Sequence, residues 1–445
     1  MAERFSEAVY AELRAAFSAV LQEALTDIKE RFAAAPPDKV QRRTFVRESD
    51  TQGSLPVLEE YDVSYSLFRA GNVLVNLRSL AELHAFLVES SLDAAMLIDA
   101  GRNRITGRDP QLHWLLNLYV LPLLIDYIGQ DLTTDWDEAR AVEAYDPLEA
   151  FLRAETLTWL LVAPLSGAAG TDFNFNFRED LRLRLLTPAE IDSLWQSGEF
   201  GGIIDRNLVM RLKFCLEYRA TIPKHSQPDQ RAAREAINDV VTSLRLVGAD
   251  RVAAPHLLTR TVERTFGLGF GGTMTSSHER APLGNSEIDA DVCAQARSVA
   301  GRLTAARKSP TISLALRRFD FASQRLRVED RLIDAWIALE ALFLPGERDE
   351  LRYRVSLRMA YFLSADPVER RTMFQQVRRS YDARSAIVHG HEPAGLNETA
   401  THTVEVLRQA LLKAIQEPDS VSADRLDALI LGGSQDPPFC KHTDG

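Results

Sequence analysis

Residues 331–346 read RLIDAWIALEALFLPG, and the reading of the C-terminal half turns on their spacing. Leu332, Trp336, Leu339 and Phe343 recur at helical spacing as one apolar stripe, and Ile333, Ile337, Ala341 and Leu344 form a second beside it. A helix apolar over so wide an arc belongs at the centre of a bundle, with Glu340 interrupting its second stripe. Leu351, Val355, Met359 and Phe362 mark the next helix. A third begins after Asp366-Pro367 and carries Phe374, Val377, Tyr381 and Val388 before Gly390. The chain from Glu287 onward thus reads as nearly all helical, with further helices expected over 399–415 and 423–431.

Toward the N-terminus the texture differs. Phe5, Val9, Leu13, Phe17, Val20, Ala24, Ile28 and Phe32 trace one face of a long helix that Pro36 and Pro37 end. Residues 38–56 read as a polar linker and 60–130 as further helices, with Leu112, Leu115, Leu116, Tyr119 and Leu123 as an apolar stripe. In the middle, Phe173, Phe175 and Phe177, then Leu181, Leu183 and Leu185, then Leu208 through Tyr218 alternate at period two, which predicts half-buried strands. Thr187-Pro188-Ala189-Glu190 has the signature of a capped helix start, with Gly198 at its end. The Gly- and Ser-rich residues 267–286 read as a linker or mobile loop, and they lack the Lys-Ser/Thr ending of a phosphate loop. The expected architecture is multidomain α+β: a mainly helical region over 1–145, an α+β domain with antiparallel strands over 146–286, an all-α bundle over 287–435 and a tail over 436–445.

Composition narrows the class. At 445 residues, 45% hydrophobic and 26% charged, the chain is a folded protein of two or three domains. The apolar stretch Trp114 to Ile125 is too short to span a bilayer. The opening MAERFSEAVYAELRAAF has acidic residues where a secretory signal has basic ones, so a cytoplasmic protein with no membrane partner is expected. Cys215, Cys293 and Cys440 form no paired spacing, which suggests neither a disulfide framework nor a thiolate metal site. The net charge of −11 argues against nucleic acid as a partner, but its distribution qualifies that: residues 297–384 hold 17 Arg and one Lys against 11 acids.

On the helix after Asp366-Pro367, the stripe Val377, Tyr381, Arg384, Val388 puts a guanidinium where the pattern calls for an apolar side chain. A charge so placed needs a partner, a cleft or an interface, and Glu340 is the natural partner. His389, His391 and Glu392 gather around the helix end at Gly390. One reading is a salt bridge that fixes helix register; the other is a site.

Arg384-Ser385-Ala386-Ile387-Val388-His389 resembles the R-x4-H signature of HEPN ribonucleases, and the segments RLIDAWIALEALFLPG, ELRYRVSLRMAYFL (350–363) and SYDARSAIVHG (380–390) are similar to successive helices of the Apea-like HEPN domain. The resemblance covers residues 300–430; APLSG, LRLLTPAE and EYRATIP in the middle portion look like what precedes this domain in bacterial relatives. It implies a C-terminal HEPN bundle acting as a metal-independent endoribonuclease with no cofactor. Arg384 and His389 would be catalytic, with Ser385, His391, Glu340 and Tyr381 as accessory candidates. It also implies RNA as substrate, a homodimer through the C-terminal domain, and a role in phage defence or as a toxin. The N-terminal region would bind a phage or cellular trigger.

Three alternatives stay open. In a continuous helix residues five apart diverge by about 140° while residues seven apart nearly align, which favours His391 over His389 as the partner of Arg384. His389, His391, Glu392 and His402 could be metal ligands. The domain could bind RNA, a nucleotide or a protein without cutting anything.

Overall fold

The computed structural model describes residues 5–34, 41–47, 54–61, 74–90, 92, 112, 115–128, 134–188, 190–191, 194, 209, 211–224, 226–262, 274–276, 284–344 and 351–431. The described chain is mostly helical, with a small antiparallel sheet in the middle. Helix α1 (Glu7–Ala34) buries Leu13, Phe17, Val20, Ala24 and Ile28, the face its periodicity predicts. It packs with α2 (Arg78–Glu89), α3 (Leu121–Ile128) and α4 (Glu138–Arg153). Ion pairs of 2.7 Å, Arg14 to Glu149 and Arg153 to Glu7, close the α1–α4 seam. A π-helical turn, Leu116–Val120, leads into α3, where Pro122 has no N–H for the ordinary helical bond. Helix α4 runs through residues 145 and 146, so the helical layer continues to Arg153.

Residues 38–56, read as a linker, instead contain β1 (Gln41–Arg47), which pairs antiparallel with β2 (Ser54–Tyr61). The sheet proper takes β3 (Thr156–Pro164), β5 (Phe175–Asn176), β6 (Leu181–Leu185), β7 (Phe214–Pro223), β8 (His256–Thr261) and β9 (Met274–Ser276), in the order β5-β6-β7-β3-β8-β9. A separate two-stranded parallel pair joins β4 (Ala168–Ala169) and β10 (Ser286–Glu287). Central β3 is buried on both faces. Leu157, Trp159, Leu161 and Ala163 join the large core shared with the N-terminal helices, whereas Leu160 and Val162 join a smaller one with Leu186, Leu212, Cys215 and Leu258. Residues 274–276, inside the stretch read as a loop, are edge strand β9; and the strand read from Leu208 begins at Phe214 and runs on to Pro223. The Gly267–Gly272 part of that stretch and Gly198 lie outside the described residues.

The helix start at Thr187 forms as its sequence predicts. The Thr187 N–H donates to Glu190 at 2.9 Å and the Glu190 N–H to the Thr187 hydroxyl at 3.3 Å. The buried Glu190 carboxylate also takes two bonds from Arg184, which reaches Glu217 as well, so the arginines alternating with Leu181, Leu183 and Leu185 end in a paired network.

Helix α5 (Gln230–Leu246) links this layer to the C-terminal helices. Its buried Arg245 donates to the Val252 carbonyl and to Asp320, and Arg408 donates to the Leu246 carbonyl at 2.7 Å. The C-terminal helices are α6 (Ala290–Ala306), α7 (Pro310–Gln324), α8 (Val328–Phe343), α9 (Leu351–Leu363), α10 (Pro367–Val388), α11 (Leu396–Gln416) and α12 (Ala423–Leu431). Cys293 and Ala296 at the start of α6 belong to the sheet's core, Leu303 and Ala306 at its end to the helical core. On α8, Leu332, Trp336, Leu339 and Phe343 are fully buried. The second stripe is not at the centre of the bundle: Ile333, Ile337 and Ala341 are only half-buried and face outward around Glu340. No helix among the described residues is long and apolar enough to cross a membrane.

Candidate functional site

Asp366 caps α10 by accepting the backbone N–H groups of Val368 and Glu369, with Pro367 in the first turn. One turn of this helix is then pinned from both sides. The Trp336 indole N–H donates to the Ser380 hydroxyl at 2.9 Å, Ser380 and Thr403 share a bond of 2.6 Å, and Thr403 donates to the Thr399 carbonyl. This buried chain of polar groups ties α10 to α8 and α11 just before Arg384. Tyr381 adds an aromatic contact, its ring 5.1 Å from Trp336 with the planes 89° apart.

Arg384 comes next, its guanidinium 5.7 Å from the centre of the Tyr381 ring. Glu340 lies 3.4 Å away, and the two side chains keep 25% and 24% of their exposure. That contact is longer than a well-formed charge-assisted bond, and the buried Nε of Arg384 has no hydrogen-bond partner. Arg358, by contrast, is satisfied by the Phe343 carbonyl and Asp427. Arg384 is therefore held in place with donors unspent. Burial pushes the Glu340 carboxyl above its ordinary range, and the Arg384 charge opposes that shift.

The helix ends in a left-handed turn. His389 sits at the C-cap with φ −90° and Gly390 at φ +80°; the Gly390 N–H donates to the Ile387 carbonyl and the His391 N–H to the Ala386 carbonyl, both at 2.9 Å. This is a Schellman closure, and it needs a residue that tolerates positive φ. It removes the basis for aligning Arg384 with His391, since the helix does not continue to residue 391. His389 and His391 are both exposed, and neither imidazole makes a hydrogen bond or ion pair among the described residues. The fold thus brings Arg384, Glu340 and Tyr381 together, sets the half-buried Ser385 on the adjoining face, and leaves the histidines at the rim.

Among the described residues no three His, Cys, Asp or Glu side chains gather as metal ligands, so His389, His391, Glu392 and His402 do not form a ligand set. Cys215 and Cys293 are buried, and burial pushes the Cys293 thiol up to about 12, far from a reactive thiolate. One feature of this surface escapes the sequence reading: a groove between α9 and α10 lined by Arg352, Tyr353, Arg378 and Tyr381. Its only trace in the sequence is the excess of arginine over 297–384. Comparison with protein-family models, with curated proteins and with solved structures gave no match.

Proposed function

We propose that this chain is a cytoplasmic, metal-independent endoribonuclease whose C-terminal helices form a HEPN bundle. The observation that carries the reading is Arg384, fixed over Tyr381 and beside Glu340 with donors to spare, on the same short segment that ends in exposed His389. Cleavage would proceed by attack of the RNA 2′-oxygen on the adjacent phosphorus. The 2′-hydroxyl loses its proton, the P–O5′ bond breaks, and the leaving oxygen gains a proton, giving a 2′,3′-cyclic phosphate and a 5′-hydroxyl. Imidazole titrates near neutral pH and serves proton transfer; the guanidinium meets the charge that develops on the phosphoryl oxygens.

A single chain supplies one such motif. The half-buried face of Ile333, Ile337 and Ala341, with Val388 57% exposed at the helix end, supports a two-fold pairing that sets two motifs in one cleft. One histidine would then act as base and its twin as acid. Defence against phage or a toxin role, with the N-terminal layer sensing a trigger, fits the joining of that layer to the bundle through α5. The second reading is a HEPN module that binds RNA, a nucleotide or a protein without cleaving it, and the absence, among the described residues, of a hydrogen bond between His389 and Arg384 favours it. Digestion of total RNA in EDTA separates the two: the ribonuclease reading expects cleavage to persist and to leave cyclic phosphate ends. Activity lost in chelator and restored by metal would overturn it.

A further inference from the structure

The groove between α9 and α10 has a volume of about 610 Å³ and is lined by Leu351, Arg352, Tyr353, Arg378 and Tyr381. Tyr353 is 53% exposed, yet its ring is steadied by Phe374 at 5.8 Å with the planes 80° apart. The Arg378 guanidinium lies 5.5 Å from the centre of the same Phe374 ring and makes no ion pair among the described residues. Arg352 is paired with Asp382, so the charge left over in the groove is that of Arg378. Tyr381 belongs to both places, lining the groove while carrying Arg384 over its ring. Along α10, Arg378, Ser385 and His389 recur on one face, and the 11 steps from Arg378 to His389 span about 16 Å of helix axis.

An exposed, steadied aromatic ring beside an uncommitted guanidinium is suited to single-stranded nucleic acid. Any unpaired base can stack on the ring while a neighbouring phosphate takes the cation. A duplex keeps its base faces stacked inside and offers none to Tyr353. We infer that this groove holds an unpaired nucleotide of the substrate, Tyr353 stacking the base and Arg378 binding a phosphate, a few nucleotides from the cut. This inference rests on the ribonuclease reading and adds to it a location.

The test uses the full chain carrying His389→Ala, to keep the RNA intact, with a labelled unstructured RNA oligonucleotide and the corresponding duplex. Tyr353→Ala is expected to weaken single-strand binding about tenfold, and Tyr353→Phe to stay within about twofold. Arg378→Ala is expected to weaken it and to flatten the log–log salt dependence by about 0.7. Duplex binding is expected to be weaker than single-strand binding and insensitive to Tyr353→Ala. Because Tyr353 is exposed and Arg378 is only half-buried and makes no ion pair among the described residues, melting curves close to the parent's are expected to accompany these losses. If the parent binds RNA but Tyr353→Ala and Arg378→Ala bind it equally well, the groove assignment is wrong while the ribonuclease reading stands. Equal loss on duplex and single strand would refute the single-strand preference. A native chain that neither binds nor cuts RNA would end both.

Discussion

Glu340 and Arg384 are each half-buried, and their contact of 3.4 Å is too long to repay full desolvation of both charges. The consequence is a defined pH dependence. Folding raises the Glu340 pKa, so the protonated carboxyl is the form that folding favours. The associated stability is complete below the unfolded carboxyl pKa of about 4.3 and is lost as pH rises through the folded value. Glu340→Gln removes this titration. The melting temperature of the variant minus that of the native chain is expected to become more positive from pH 4 to pH 7; a flat or falling difference would show that Glu340 is not strained by burial. The pairing itself was legible in the sequence, because a charge on each of two apolar stripes demanded a counter-charge. The looseness of the contact was not, since periodicity gives a face and not a distance.

Helix α10 shows what fixes the site at the scale of one element. Ser380→Ala would strand the Trp336 indole N–H and disturb Thr403, and a buried donor left without its partner costs about 1–3 kcal/mol. Denaturant unfolding should report that loss as a lower midpoint with an unchanged slope, and RNA cleavage should fall with it because Tyr381 and Arg384 follow directly. Gly390→Ala meets no atom within 4 Å, so its cost is conformational, about 1 kcal/mol for a side chain at φ +80°. Gly390→Asn is expected to cost less. Equal stability of Gly390→Ala and the native chain would mean that the helix end is not held as described. Helices with one buried stripe were readable, as α1 and the capped starts at Asp366 and Thr187 illustrate. Strand β3 was not: with Leu157 and Leu161 in one core and Leu160 and Val162 in another, it has no alternation to detect. Strand β9, three residues in a Gly- and Ser-rich stretch, is held by pairing with β8, a long-range contact that local composition does not reveal.

For the whole molecule, the polar contacts that join separate cores matter most. Arg245 to Asp320, Arg307 to Asp239 and Arg408 to the Leu246 carbonyl bind α5 to the bundle, and these are the contacts through which the proposed trigger at the N-terminal layer would reach the bundle that carries Arg384. The proposed pairing of two chains through the outward face of α8 and α10 makes a further prediction. In a hybrid of one native chain and one carrying both Arg384→Ala and His389→Ala, a composite site should retain well under half of native activity, whereas independent sites would retain about half. Sedimentation of an active monomer would contradict the composite site. The most direct measurement is a cleavage assay in EDTA on one defined single-stranded RNA, comparing purified native chain with folded His389→Ala and His391→Ala. The account predicts cyclic phosphate products from the native chain and His391→Ala, and none from His389→Ala; cleavage by His389→Ala at the native rate would contradict it.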